Sequence, residues 1–373
     1  MDFSFTEEQD AVKELAAQIL DGQLGNDALK AFDKSGEAYD AATWAEFAKA
    51  GLLGIALPES VGGAGLGFLA AALVLEQVGR TAAPIPYLPT VVLGALPIAE
   101  FGTEAQQQAI LPGVVDGSTI LTAALVEFGT PPGAPTTTAR PEGDGWRLDG
   151  SKLCVPAGLQ ASRILVPAAT GEGTVGVFIV DPAAAGVSQE ALATTSGQPE
   201  TRLDLDGVVV GAGDVLGDPT DGADLVQWIV ERGTAAGCVT AIGVCAEALR
   251  LTAEYTKTRE QFERPIATFQ AVGQRAADAY IDTEAVRLTA WQAAWRLSEG
   301  LPATEAVAIA KFWTAEGGQR VVHAAQHLHG GMGVDRDYPL HRYFLWAKQL
   351  ELTLGGGTQH LLELGRLLAD EPV

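Results

Sequence analysis

The chain has 373 residues, 47% of them hydrophobic, so it is long enough to form two or three domains with substantial apolar cores. Its 47 acidic residues outnumber 24 lysines and arginines, and the formal net charge of −23 argues against nucleic acid and anionic membranes as partners. Three cysteines without a CxxC pair, no signal-peptide pattern and no uninterrupted apolar run of membrane-spanning length indicate a cytoplasmic protein with free thiols.

Residues 1–118 are predicted to be helical. Thr6 and Gln9 have the spacing of a capping box at the start of a helix. The residues after them predict a buried helix face composed of Val12, Leu15, Ala16 and Ile19. Further helices are predicted at 41–50, 68–79 and 91–101. The glycine cluster at 62–67 is predicted to be a loop, because no strand–turn–helix unit of a dinucleotide-binding motif surrounds it.

Residues 119–218 have a different pattern of residue types. Short runs rich in Val, Thr and Ile are separated by Gly, Pro and Asp, a pattern typical of strands at hairpin spacing. The dipeptides Asp144-Gly145 and Asp149-Gly150 are predicted to be turns. The predicted strands lie at 120–126, 145–148, 164–167, 174–180 and 202–209. This part of the chain is therefore expected to be a β domain between two helical parts.

From residue 219 to the end the pattern is helical again. One helix is predicted to end at Pro265, because a proline pushes the preceding residue out of the helical region. Another helix-compatible pattern begins at residue 271. The segment 259–270 therefore forms an elbow between two helices, and it presents Arg259, Phe262 and Gln270 to an external ligand.

Three histidines, His323, His327 and His329, have a spacing that could suggest a metal site. Ala324 stands where the HExxH motif of a metalloprotease has its glutamate, however, and no further carboxylate lies nearby in sequence. Polar packing beside a glycine-rich loop is the better interpretation. We expect no metal site.

The motifs of this chain resemble those of the acyl-CoA dehydrogenase family over essentially its whole length. The matching stretches are 52–67, 259–270 and 329–342, and the middle one, with Arg-x-x-Phe-x-x-Pro-Ile, resembles actinobacterial members. The resemblance implies an α+β fold with an N-terminal all-α domain (1–118), a middle antiparallel β domain (119–218) and a C-terminal four-helix bundle (219–373). It also implies a tetramer in which the elbow reaches a neighbouring subunit.

The resemblance implies FAD as the cofactor. Arg259 would contact its pyrophosphate, Phe262 and Gln270 would line its ADP half, and His327, Gly330 and Gly331 would contact the same part. These residue types suit that task, because a guanidinium binds phosphate oxygens, an aromatic ring stacks, and glycines allow close backbone approach. Two alternatives remain: Arg259 could cap a helix end, and the glycines could form a tight turn between helices.

The catalytic base of the family is missing from its usual place. The family has a glutamate in a Glu-Gly-Thr motif near the C-terminus, and this chain has Gly356 there. Some members place the base before the elbow, where ungapped matching gives Gly233. A slip of two residues would bring Glu231 into register. Glu231 and Glu247 remain weak candidates, since each is equally compatible with a solvated helix face.

Two stretches of the β domain also depart from the family pattern. The family's flavin-ring loop and acyl-CoA strand correspond here to 126–133 and 153–156, where a Ser-Asp pair is missing and Pro156 removes a backbone donor. His327 replaces a glutamine. The features that would serve this subunit's own active site are thus degraded, while those that would serve a neighbour's cofactor are retained.

Our leading hypothesis is therefore the non-catalytic subunit of an α2β2 acyl-CoA dehydrogenase that forms 2,3-enoyl-CoA in β-oxidation. The resemblance is to actinobacterial complexes that act on steroid side-chain or other bulky CoA thioesters. A paralogous subunit would carry the base, and an electron-transfer flavoprotein would accept the electrons. One alternative is a self-sufficient homotetramer that uses Glu231 or Glu247 as its base. Another is a flavin-free scaffold or CoA-binding protein.

Overall fold

The computed structural model describes residues 4–370 of the chain. Their packing divides the chain into two compact units. Within the described residues, one unit contains 4–37, Ala72–Ala83 and 234–370. The other contains Ala38–Ala71 and Pro84–Gly233. Helices dominate the first unit, and the β-sheet lies in the second.

The first helix begins with the predicted capping box, in which the Thr6 and Gln9 side chains each accept from the other residue's backbone N–H. Its buried face differs from the prediction, because Val12, Ala16 and Leu20 are buried one turn apart while Leu15 is exposed. A π-helical stretch, Leu88–Ala95, leads into α5. The helices of this part are α1 (Glu7–Gln23), α2 (Asn26–Ser35), α3 (Ala41–Lys49), α4 (Gly67–Thr81), α5 (Leu96–Phe101) and α6 (Glu104–Val115).

The sheet has eight strands, in the order β6-β7-β3-β2-β4-β5-β8, with β1 beside β4. The β1–β4 and β2–β4 pairs are parallel and the others are antiparallel, so the predicted antiparallel sheet is in detail a mixed one. The strands are β1 (Leu121–Ala123), β2 (Thr138–Glu142), β3 (Gly145–Pro156), β4 (Arg163–Gly171), β5 (Thr174–Val180), β6 (Val187–Leu192), β7 (Glu200–Val210) and β8 (Val215–Leu216).

One predicted turn, Asp149-Gly150, is wrong. Both residues lie inside β3, where the pairing with β7 shifts register between Leu148 and Gly150. A Cβ on Gly150, whose φ is +154°, would lie 2.5 Å from Thr137 Oγ1. The glycine is required by a bulge against a neighbouring strand rather than by a chain reversal.

Five helices follow the sheet in the described part of the chain. The predicted end of the first at Pro265 is wrong, since it ends at Thr258. This helix is long and apolar enough to cross a membrane, but 67% of its apolar window is buried inside the protein, which makes it a core helix. The five are α7 (Ala223–Thr258), α8 (Gln270–Ser298), α9 (Thr304–His329), α10 (Leu340–Leu352) and α11 (Gly357–Asp370). The domain boundaries at 118 and 218 stay predictions.

Candidate functional site

The elbow between α7 and α8 is a short hairpin. Arg259 N–H still donates to Tyr255 O (2.8 Å), which completes the last turn of α7. Strand β9 (Glu260–Gln261) then pairs antiparallel with β10 (Arg264–Pro265), and Ile266 N–H donates to Arg259 O (2.8 Å). The hairpin therefore projects from the end of α7, with its base fixed by two backbone hydrogen bonds.

The tip of the hairpin consists of Phe262 and Glu263, whose φ values of +54° and +64° are both left-handed. The Phe262 side chain is 87% exposed, and its ring lies edge-on to Phe269 at 6.2 Å between centroids. The Arg264 guanidinium lies 4.3 Å from the centre of the Phe269 ring. The Phe269 ring thus packs against both Phe262 at the tip and the Arg264 guanidinium in β10.

Arg259 and Gln270 are both exposed, and Gln270 is the first residue of α8. The Arg259 side chain makes no hydrogen bond or ion pair within the described residues 4–370. The alternative in which Arg259 caps the end of a helix is therefore not what the structure contains. A planar cation with free donors remains available to an external anion.

The glycine loop follows α9. Gly330 has φ +59° and ψ −132°, a conformation suited to glycine, and its N–H donates to the carbonyls of Gln326 and His327. A Cβ added at Gly330 or Gly331 would meet nothing within 4 Å. His327 is exposed on the last turn of α9. Gly330 and Gly331 therefore border open space and are not required for a tight internal contact at that point.

An aromatic cluster of Tyr255, His329 and Tyr338 joins the hairpin's base to the glycine loop. The rings of Tyr255 and His329 stack with centroids 4.3 Å apart, and His329 Nε2 lies 3.2 Å from the Tyr338 hydroxyl. Burial lowers the pKa of His329. The structure thus brings Arg259 and the Gly330 segment to neighbouring helix ends. The sequence analysis did not identify this cluster.

The usual base position lies in the turn between α10 and α11. Leu354 (φ +56°) and Gly355 (φ +103°) reverse the chain, and a Cβ on Gly356 would meet nothing within 4 Å. Lys311 Nζ donates to the carbonyls of Leu350 and Glu351, which end α10, and burial lowers its pKa to about 8. The backbone of this turn is therefore firmly held, although Gly356 offers no carboxylate to accept a proton.

His360 holds the other side of the same turn. Its Nε2 lies 2.9 Å from Leu354 O, and burial lowers its pKa. A neutral imidazole in this place donates Nε2–H to the carbonyl. Neither Lys311 nor His360 was recognised from the sequence, because each acts on backbone carbonyls and leaves no motif.

The other candidate base positions lie on α7. Gly233 is buried within α7, and Glu231 is half-buried and accepts a hydrogen bond from Gln227 Nε2 at 3.0 Å. Glu247 receives two hydrogen bonds from Arg250, at 2.6 and 2.7 Å, which occupy both of its carboxylate oxygens. As a base, Glu247 would act from within this ion pair with Arg250.

The loop at the family's flavin-ring position is anchored by a buried ion pair. Lys152 Nζ lies 2.6 Å from Glu127 Oε1, both side chains are almost fully buried, and Lys152 also donates to Pro167 O at 2.7 Å. Burial alone would raise the pKa of Glu127, but hydrogen bonds from Lys152, Thr136 and Thr137 lower it to about 2. The Glu127 carboxylate and the Lys152 ammonium group are thus both satisfied by partners within the chain.

No group of three or more His, Cys, Asp or Glu side chains within residues 4–370 is arranged to hold a metal ion. Of the three histidines His323, His327 and His329, the last has both ring nitrogens in hydrogen-bonding contacts, one with Ala325 O and the other with Tyr338. Polar packing is the role that the structure gives to His329.

A helical part, a sheet and a second helical part, with a hairpin that offers a free guanidinium beside an open glycine loop, define the class of CoA-thioester dehydrogenases. Family models confirm this class: "Acyl-CoA dehydrogenase, N-terminal domain" matches residues 6–118, and "Acyl-CoA dehydrogenase, C-terminal domain" matches residues 220–366. The chain belongs to the acyl-CoA dehydrogenase family. The predicted fold class and the predicted oxidoreductase activity are confirmed at this level.

Similar proteins of known sequence or structure cover nearly the whole chain. The acyl-CoA dehydrogenase FadE27 of Mycobacterium tuberculosis is 42% identical over 381 residues, with 100% of both chains covered. The crystal structure of the ChsE4–ChsE5 complex from Mycobacterium tuberculosis matches with a TM-score of 0.95, 43% identity and 100% coverage of both chains. A variant of the steroid ACAD Tcur3481–Tcur3483 matches with a TM-score of 0.91, 47% identity and 98% coverage of both. The predicted resemblance to the actinobacterial type is confirmed by these matches.

Proposed function

We propose that this chain is the subunit of a heteromeric acyl-CoA dehydrogenase that holds the cofactor but carries no base. The observation behind the proposal is a contrast within one helical unit. Arg259 is free and exposed beside an open glycine loop, whereas the turn at Gly356 has an ordered backbone and no carboxylate. Membership in the family implies FAD, and the cofactor-binding residues would be Arg259, Phe262, Gln270, His327, Gly330 and Gly331.

The chemistry of these groups fits the adenosine diphosphate half of FAD. The unpaired Arg259 guanidinium can donate two parallel hydrogen bonds to phosphate oxygens. The exposed face of Phe262 can stack on a flat ring, and the glycine loop allows backbone N–H groups to approach an anion. FAD, when bound, supplies the acceptor for the hydride that leaves the acyl β-carbon. The residues of this chain would bind and orient it.

The reaction also needs a base for the α-proton of the acyl-CoA, to give the 2,3-enoyl-CoA. Gly356 cannot accept a proton, and both Glu247 oxygens are bonded to Arg250. A paralogous subunit would therefore supply the base in an α2β2 assembly. The ChsE4–ChsE5 structure is described as a complex and Tcur3481–Tcur3483 as a steroid ACAD, which supports a two-chain enzyme for steroid side-chain or similarly bulky acyl-CoA thioesters. Two points remain predictions: that the protein is cytoplasmic, and that an electron-transfer flavoprotein is its electron acceptor.

The assignment of Arg259 can be tested on the complex with the paralogous subunit, purified, stripped of flavin and titrated with FAD while flavin fluorescence is followed. Loss of charge-assisted hydrogen bonds predicts that Arg259→Ala weakens FAD binding by about tenfold to a hundredfold. Arg140→Ala removes an equally exposed arginine from β2 and should leave the affinity unchanged. Equal affinities for Arg259→Ala and wild type would refute the assignment.

The homotetramer that uses its own base remains the main alternative, in which the half-buried Glu231, which accepts a hydrogen bond from Gln227, would be that base. Under that alternative, Glu231→Gln would reduce kcat by orders of magnitude. A flavin-free scaffold predicts that even the co-expressed complex shows no flavin absorbance.

A further inference from the structure

The tip of the hairpin after α7 has a backbone conformation that its residues disfavour. A two-residue hairpin with both central φ values positive is normally built with Asn-Gly or similar pairs, because a Cβ crowds the carbonyl in that region. Here the two positions are Phe262 (φ +54°) and Glu263 (φ +64°). Glycine at position 263 would avoid the strain there. The glutamate side chain must therefore serve something that outweighs its conformational cost.

The Glu263 carboxylate is not used within the described chain. It is exposed, and it accepts no hydrogen bond and forms no ion pair with any residue between 4 and 370. The adjacent Arg264 does not pair with it, since the Arg264 guanidinium lies over the Phe269 ring. The strained residue thus presents two free acceptor oxygens to the outside.

Three different free groups meet on this hairpin: a guanidinium at Arg259, an aromatic ring at Phe262 and a carboxylate at Glu263. A nucleotide has three matching parts, which are a phosphate anion, a flat base and a ribose with hydroxyl donors. A carboxylate is an acceptor-only group and forms strong hydrogen bonds with hydroxyl donors. In dinucleotide-binding folds, an acidic residue accepts from ribose in this way.

We propose that Glu263 binds the ribose hydroxyls of the adenosine half of FAD and so sets the nucleotide preference of the hairpin. The inference rests on the proposed function, in which Arg259 binds the pyrophosphate of the same cofactor. It explains why position 263 is not glycine. It also explains why the Glu263 carboxylate has no partner in the chain while the neighbouring cation at Arg264 has one.

The hairpin contains its own control, Glu260. This residue is also exposed, but it lies in β9 with an ordinary backbone conformation. Glu260→Gln and Glu263→Gln remove the same charge from the same hairpin. A general electrostatic effect would alter both variants equally, whereas a direct contact with ribose would alter only the second.

The experiment measures the dissociation constants of FAD and of an FAD analogue with 2′-deoxyadenosine, using flavin fluorescence and the deflavinated complex with the paralogous subunit. We expect the wild type to prefer FAD, and Glu263→Gln to bind FAD roughly tenfold more weakly and to lose that preference. Glu260→Gln should keep both the affinity and the preference. Unchanged affinity in Glu263→Gln, or a retained preference for FAD, would overturn the inference.

A second variant, Glu263→Gly, separates ligand contact from structure. Glycine suits φ +64°, so the flavin-free complex should unfold at a higher temperature while its FAD affinity falls as in Glu263→Gln. Wild-type FAD affinity in Glu263→Gly would contradict the inference. If the wild-type complex itself binds no FAD, the proposed function fails; if it binds FAD and both Glu263 variants do so equally well, only the role of Glu263 fails.

Discussion

In the hairpin after α7, the Arg259 and Glu263 side chains make no hydrogen bond or ion pair among residues 4–370. In the loop after β1, by contrast, Glu127 is buried and accepts hydrogen bonds from Lys152 and Thr137. Unpaired charges on an exposed hairpin add nothing to the stability of the isolated chain. Fully satisfied buried charges serve the fold. Under the proposed function, the first region would bind a ligand from outside the chain, and the second would serve only the fold.

The turn at Gly356 belongs with the second kind of region. Lys311 and His360 hold its carbonyls, yet the position itself carries no side chain. Under the proposed function, this turn would keep its backbone framework without a reactive group. This contrast predicts that substitutions in the two kinds of region will affect different measurements.

The largest effect on stability is expected from Lys152→Met, which leaves the Glu127 carboxylate buried without its cation. Breaking a buried ion pair costs roughly 3–5 kcal/mol in free energy of unfolding. Denaturant titration should show this loss, and the double replacement Glu127→Leu with Lys152→Met should recover much of it. Lys257→Met, which breaks an exposed pair with Glu254, should cost less than about 1 kcal/mol. If Lys152→Met kept its stability but its complex no longer bound FAD, the ion pair would serve the ligand and not the fold, contrary to the comparison.

The same ion pair predicts a dependence of stability on acid. The pKa of Glu127 falls from an ordinary 4.5 to about 2 in the folded chain, so its contribution is complete above about pH 4.5 and is lost as pH falls towards 2. Urea midpoints measured across this range should fall more steeply for the wild type than for Glu127→Gln. Parallel curves for the two proteins would show that the carboxylate is not held as described.

A smaller effect is expected at Gly330, whose φ of +59° and ψ of −132° do not suit alanine. Gly330→Ala should lower the free energy of unfolding by about 1–3 kcal/mol, because a non-glycine residue is strained there. It should also weaken FAD binding by the complex, since the loop must shift. Denaturant titration and FAD titration measure the two effects, and an unchanged value in both would contradict the assigned geometry.

The smallest effect is expected at Gly356, which has an ordinary φ and open space around its Cβ position. Gly356→Ala should stabilise the chain by about 0.4–1 kcal/mol, because it restricts the unfolded state without a clash. FAD binding should not change. A marked loss of stability in this variant would show that the turn needs glycine for its backbone and is not simply a vacated position.

The elbow residues could be found from the sequence because Arg259, Phe262 and Gln270 lie in one short motif between two helical patterns. The conformation of the tip could not, since Phe-Glu is an unusual pair for a turn with two left-handed residues. Their roles and those of His327, Gly330 and Gly331 remain predictions. The order of helical, strand-like and helical parts followed from the residue patterns, and the fold class followed from the resemblance to the family.

Local sequence patterns are misleading where long-range contacts decide the structure. Gly150 has the local pattern of a turn, but the register shift against β7 makes its position a bulge, and Thr137, just before β2, leaves no room for a Cβ there. Tyr255, His329 and Tyr338 come together only after α7 and α9 have packed. Lys311 is buried against the end of α10, and no local pattern distinguishes it from a solvated lysine.

The most direct test of the account is the flavin absorbance and dehydrogenation activity of this chain expressed alone and together with its paralogous subunit. If the chain holds FAD for a partner's base, the chain alone should bind little FAD and show no turnover. The complex should be yellow and should convert acyl-CoA to enoyl-CoA. A yellow, active assembly of this chain alone would contradict the central claim.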